Sequence, residues 1–73
     1  MILATVEPKQ TKSGLVWIVE IAGDDFLLSV LVRDCGLGLS PPNALYLACL
    51  EHGYGIVCQT EGAGGMSAIL EAA

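Results

Sequence analysis

The sequence predicts an α+β fold, a small antiparallel β-sheet with one α-helix packed on one face. Three observations lead there. Two runs rich in Val, Ile, Phe and Trp, Leu15–Ala22 and Phe26–Arg33, are separated by a Gly-Asp break. Ser40-Pro41-Pro42 then opens an apolar run that stops at Gly53. A further strand-like run, Tyr54–Thr60, follows. With 73 residues the chain has room for one core, so residues 1–73 form a single α+β domain.

The elements follow in the order β-β-β-α-β, with a fifth strand or a short C-terminal helix at the end. Ile2–Glu7, with β-branched Ile2, Thr5 and Val6, reads as a strand closed by Pro8. Residues Pro8 to Gly14 hold two of the three basic residues and read as a solvated loop. Gly23-Asp24 fits a two-residue type II′ turn. That turn sets Ile21 opposite Phe26, Val19 opposite Leu28, Trp17 opposite Val30 and Leu15 opposite Val32, a large apolar face for the helix. The other face pairs Glu20 with Leu27, Ile18 with Ser29, Val16 with Leu31 and Gly14 with Arg33, and is half polar. Because a one-residue slip mixes the two sets, the pattern is read as specifying the register.

Asp34–Leu39 is a Gly-bearing loop. Ser40 is placed at the N-cap, Pro41 at the first helical position and Gly53 in the left-handed C-terminal position, with the helix ending near Glu51 or His52. Leu45, Ala48, Cys49 and His52 are expected to face the sheet. Leu47 falls on the wet side between Asn43 and Glu51, and Leu50 flanks the core. In Tyr54–Thr60, alternation puts Ile56, Cys58 and Thr60 on one side. Glu61–Gly65 reads as a loop. The tail Met66–Ala73 contains helix-favouring Ala, Leu and Glu but is short for an isolated helix. A closing strand beside Tyr54–Thr60, burying Ile69, is preferred, with the short helix left open.

Composition excludes several classes. Apolar residues make up 53% and charged residues 15%, the reverse of a disordered chain. Three basic against eight acidic residues, net charge −5, argues against direct nucleic-acid binding, which needs clustered Lys and Arg. The longest uncharged stretch, Cys35–Leu50, is interrupted by Pro41 and Pro42, and a bilayer helix needs about 20 unbroken residues. Met1–Val6 lacks the basic start of a secretory signal. The expectation is a complete small reading frame in the cytoplasm. The odd count of three cysteines suits reduced thiols there.

Candidate chemistry is weak at each place it arises. Cys49 and His52 share a helix face, and Cys35 and Cys58 make a conceivable Cys3His zinc set, but no tight Cys-x2-4-Cys pair is present. A Cys49–His52 nucleophile pair sits at a helix C-terminus, whose dipole disfavours a thiolate. Cys35-Gly36-Leu37-Gly38 before a helix suggests a phosphate loop, yet Pro41 and Pro42 remove two donors it needs. Asp24-Asp25 is an ordinary turn pair rather than a general acid/base couple. The expectation is no enzyme, no catalytic residue, no metal and no cofactor.

Surplus apolar surface is what stands out. One helix cannot cover both faces of the central hairpin. Val16, Ile18, Glu20, Leu27 and Leu31 on the sheet, with Leu47 and Leu50 on the helix, are the candidate partner-binding residues. The occupant is a protein partner or a second copy, giving a possible homodimer. The layout of the Leu15–Arg33 hairpin, the Ser40-Pro41-Pro42 helix and the Tyr54–Thr60 strand resembles that of some phage-encoded anti-CRISPR proteins, as architecture without a diagnostic motif. That resemblance implies an inhibitor that binds a Cas effector complex, often against its DNA-contacting surface. The alternative is a homo-oligomeric structural or accessory subunit without catalytic activity.

Overall fold

The computed structural model describes residues 1–62 and 65–72. Five strands form one antiparallel sheet: β1 (Ile2–Thr11), β2 (Gly14–Ala22), β3 (Leu27–Arg33), β4 (Tyr54–Gly62) and β5 (Gly65–Ala72). Their order is β3-β2-β1-β5-β4. Helix α1 (Pro41–His52) connects β3 at one edge to β4 at the other and packs on one side of the sheet. The tail is a strand, as preferred above.

β1 is longer than expected and runs through Pro8. The Asp34 N–H donates to the Leu15 carbonyl at 3.2 Å, so the odd-numbered residues of β2 turn their backbone groups toward β3. Pro8 lies opposite Trp17 and so has no β2 bond to lose. On its other side the pairing with β5 ends at Val6. The expected loop therefore shrinks to a tight turn at Lys12-Ser13, closed by Thr11 opposite Gly14 and by a 2.8 Å bond from the Thr11 hydroxyl to the Gly14 carbonyl. Gly14 takes φ 121°, which only glycine adopts freely.

The central hairpin has the expected faces but not the expected register. Val19 pairs with Val30, Trp17 with Val32 and Ile21 with Leu28, a shift of two residues. The turn is the four-residue Gly23–Phe26, closed by the Gly23 N–H to the Phe26 carbonyl at 3.0 Å. Side chains repeat every two residues, so a two-residue shift keeps every residue on its face. The apolar pattern fixes parity, not register.

The helix begins and ends where its signals place it. Ser40 is extended, the Ala44 N–H donates to its carbonyl at 3.0 Å, and Gly53 at φ 77° sends its N–H to the Cys49 carbonyl. The Ser40 side chain makes no cap bond. Pro41 and Pro42 have removed the N–H groups at the first two positions, one of which a capping hydroxyl commonly takes. The loop before the helix is instead held by Asp34. Its carboxylate accepts the Gly38 N–H at 3.1 Å and the Leu39 N–H.

The core lies between helix and sheet. It comprises Ala4, Val6, Trp17, Val19, Ile21, Val30, Met66, Ala68 and Leu70 from the strands and Ala44, Leu45, Ala48 and Cys49 from the helix. Ala4 pairs with Ala68 on the two middle strands. Ala44 and Ala48 of the helix join these two small side chains in the core. His52, expected in this interface, is exposed in the last helical turn, and Ala44 takes the inward place instead. The indole Nε1 of Trp17 is buried without a hydrogen-bond partner.

A bulge at Val57 corrects the expected facing of β4. Ile56 pairs with Leu70 on the helix side, whereas Cys58 pairs with Ile69 on the other. Ile69 is accordingly not in the core. Met66, Ala68 and Leu70 fill the inward positions of β5. The expected loop Glu61–Gly65 narrows, because β4 reaches Gly62 and β5 starts at Gly65. Residues 63 and 64, and Ala73 of the tail, lie outside the described residues.

Candidate functional site

The side of the sheet away from the helix is covered by nothing among the described residues. Strand register arranges its side chains in rows across the strands. Cys58, Ile69, Leu3, Ala22 and Leu27 form an apolar row spanning all five strands. Next to it runs a row of hydroxyls and one acid, Thr60, Ser67, Thr5, Glu20 and Ser29. Beyond it Glu7, Ile18 and Leu31 share a row, and Lys9, Val16 and Arg33 share the last.

Five of the seven residues expected at a partner surface lie on this side. Leu27 and Leu31 are 68% and 64% exposed. Glu20 is exposed and Ile18 half-buried. Val16 departs from expectation at 6% exposed. Its cross-strand neighbours are Lys9 and Arg33, side chains long enough for their aliphatic stems to cover a neighbouring valine. Around Val16 and Ile18 lies a shallow trough of ≈ 450 Å³, bordered by Lys9, Ser29, Leu31 and Arg33. A second hollow of ≈ 300 Å³ lies over Leu3, Cys58 and Ile69.

Leu47 and Leu50 are exposed as expected, but on the outer side of the helix. The structure therefore does not bring all seven residues together. It makes two surfaces separated by the sheet and the helix. Leu50 lines a small hollow of ≈ 210 Å³ with Tyr46, Tyr54 and Ile56.

Leu3, Ile69, Cys58, Lys9 and Arg33 belong to the open side and were missing from the sequence-based set. Leu3 and Lys9 were legible in principle, since Leu3, Thr5, Glu7 and Lys9 alternate with inward Ala4 and Val6. Ending the strand before Pro8 hid that pattern. Cys58 and Ile69 reach this side through the Val57 bulge and the β1–β5 register, which local sequence does not display.

The other candidate chemistries are dispersed. Cys35 is in the exposed loop after β3, Cys49 is buried beneath the helix and Cys58 is on the open side. Among the described residues no three His, Cys, Asp or Glu side chains gather as metal ligands. Burial pushes the Cys49 thiol above its ordinary range, away from the thiolate a nucleophile needs. The Gly38 and Leu39 amides of the Gly-bearing loop are already bonded to the Asp34 carboxylate. Among the described residues no helix is long and apolar enough to cross a membrane.

No family model, no curated protein and no solved structure matches this chain. Its open sheet side is the feature on which a functional reading rests.

Proposed function

We propose that the chain is a non-catalytic protein-binding module that lays the open side of its sheet on another protein. The observation that carries this reading is the one-sided roof. A five-stranded sheet has its helix on one side, and the other side presents Leu3, Ile18, Leu27, Leu31 and Ile69. Apolar patches of this extent mark protein contacts. Glu7, Glu20 and Glu71 interrupt the apolar positions and would steer the approach and orientation of a partner.

The likeness in layout to anti-CRISPR proteins supports a Cas effector complex, a cytoplasmic nucleic-acid-handling machine, as the partner class. In that case contact would be apolar rather than a mimic of a phosphate row. The acidic residues are scattered over turns, helix and sheet, and Lys9 and Arg33 stand on the same side as Glu7 and Glu20.

The test is affinity capture from cells carrying the gene, with the wild type and the Leu27→Glu/Leu31→Glu variant as parallel baits. A partner held by the wild type and lost by the variant supports the reading. A partner held equally by both removes the open side from the interaction. Adding the wild type to a captured Cas complex should slow target cleavage; unchanged cleavage would exclude the inhibitor reading.

A further inference from the structure

We propose that the free edge of β3 pairs antiparallel with β3 of a second copy, joining two five-stranded sheets into one of ten strands. This concerns the backbone edge and stands apart from the open-side reading above.

The two edges of the sheet are built differently. β4 is bulged at Val57 and carries Gln59, Thr60 and Glu61, devices that discourage edge pairing. β3, Leu27-Leu28-Ser29-Val30-Leu31-Val32-Arg33, pairs with β2 without a bulge, contains no proline and carries its one charge at the end. Long, regular, apolar edges of this kind are templates for another strand.

The direction of the free backbone groups follows from both ends of the hairpin. Asp34 donates to Leu15 and Gly23 donates to Phe26, so the hydrogen-bonded pairs are Trp17–Val32, Val19–Val30 and Ile21–Leu28. The N–H and C=O groups of Leu27, Ser29, Leu31 and Arg33 therefore point outward. Among the described residues no hydrogen bond reaches them.

Two copies related by a two-fold axis through Val30 satisfy these groups. Ser29 then faces Leu31 of the other copy, and Leu27 faces Arg33. The two-fold also sets the Arg33 end of one strand beside the Gly23–Phe26 turn of the other copy, which carries Asp25. Asp24 already faces the amino terminus at 3.6 Å, which leaves Asp25 as the carboxylate for Arg33 to meet. The edge is thus complementary to itself in backbone, its basic end meets an acidic turn, and the two-fold supplies that contact twice.

Sedimentation equilibrium and native mass measurement test this directly. The wild type is expected at twice its 7.6 kDa chain mass. Ser29→Pro removes an outward N–H and none that bonds β2, so the folded chain should become monomeric with its circular dichroism retained. Arg33→Asp should weaken the dimer at least tenfold, and adding Asp25→Arg should restore it. With Cys35 and Cys58 changed to Ser, Ser29→Cys/Leu31→Cys should oxidise to a covalent dimer and neither single variant should. A wild type that stays monomeric up to millimolar chain overturns the proposal. So does a folded Ser29→Pro dimer of unchanged affinity, or a charge swap that restores nothing. Leu27→Glu/Leu31→Glu keeps all outward backbone groups. If it loses a protein partner while Ser29→Pro retains it, the open-side reading survives a failure of this one.

Discussion

The ring of Phe26 lies 6.5 Å from that of Tyr54, with the two planes 12° apart. This offset stack ties the β2–β3 turn to the first residue of β4, although β3 and β4 are opposite edges of the sheet. Gly23 makes it possible, because a Cβ there would strike the Phe26 ring. Phe26→Ala should cost about 1–2 kcal/mol in urea unfolding, the worth of an aromatic pair plus partial burial. Gly23→Ala should destabilise the wild type and be nearly silent in the Phe26→Ala background. Additive losses would show that the ring and the glycine are not coupled.

Trp17 is 8% exposed and its indole N–H has no partner. Native fluorescence should be strongly blue-shifted, resist iodide quenching and move to the red on unfolding. A water-like native emission would place this residue outside the helix–sheet core.

The three cysteines should divide by reactivity. Cys35 and Cys58 are exposed and Cys49 is buried, so a disulfide reagent should titrate two thiols quickly and the third at the rate of opening. Burial raises the Cys49 pKa from 9.0, so the folded chain holds that proton more tightly than the unfolded chain. This contribution is fully present below pH 9 and is lost as pH rises through the folded-state value. Stability should therefore fall above pH 9, and Cys49→Ala should flatten that limb. An unchanged limb would assign it to other groups.

Asp34 organises the loop into the helix through two backbone N–H groups. Asp34→Ala should cost about 1–3 kcal/mol, the range for hydrogen bonds to a charged acceptor. Amide exchange at Gly38 and Leu39 should quicken in the same variant. Unaltered exchange there would mean that the carboxylate does not hold the loop.

Much of the fold was legible because its signals are local. Ser40, the two prolines and Gly53 mark the helix through backbone conformation, and Leu45, Ala48 and Cys49 follow from its period. The faces of β2 and β3 follow from alternation. What escaped depended on partners distant in sequence. Whether Val19 meets Leu28 or Val30 changes no side chain's face, so alternation cannot choose between them. Pro8 is tolerated because β5 stops at Val6, a fact of sheet order. The Val57 bulge sends Cys58 to the open side, and no residue type announces it. The candidate surface was half legible for the same reason. Leu27 and Leu31 follow from alternation in one hairpin, whereas Leu3 and Ile69 join them only after β1 is set between β2 and β5.

Denaturant unfolding of Leu31→Glu beside Ile21→Ala tests most directly whether the side bearing Leu31 is surface rather than core. Ile21 is fully buried under the helix, and its truncation should cost about 2–5 kcal/mol. Leu31→Glu should stay within about 0.5 kcal/mol of the wild type, as surface changes do. A loss for Leu31→Glu as large as that for Ile21→Ala would make this side part of the folding core and leave no free sheet surface for another protein.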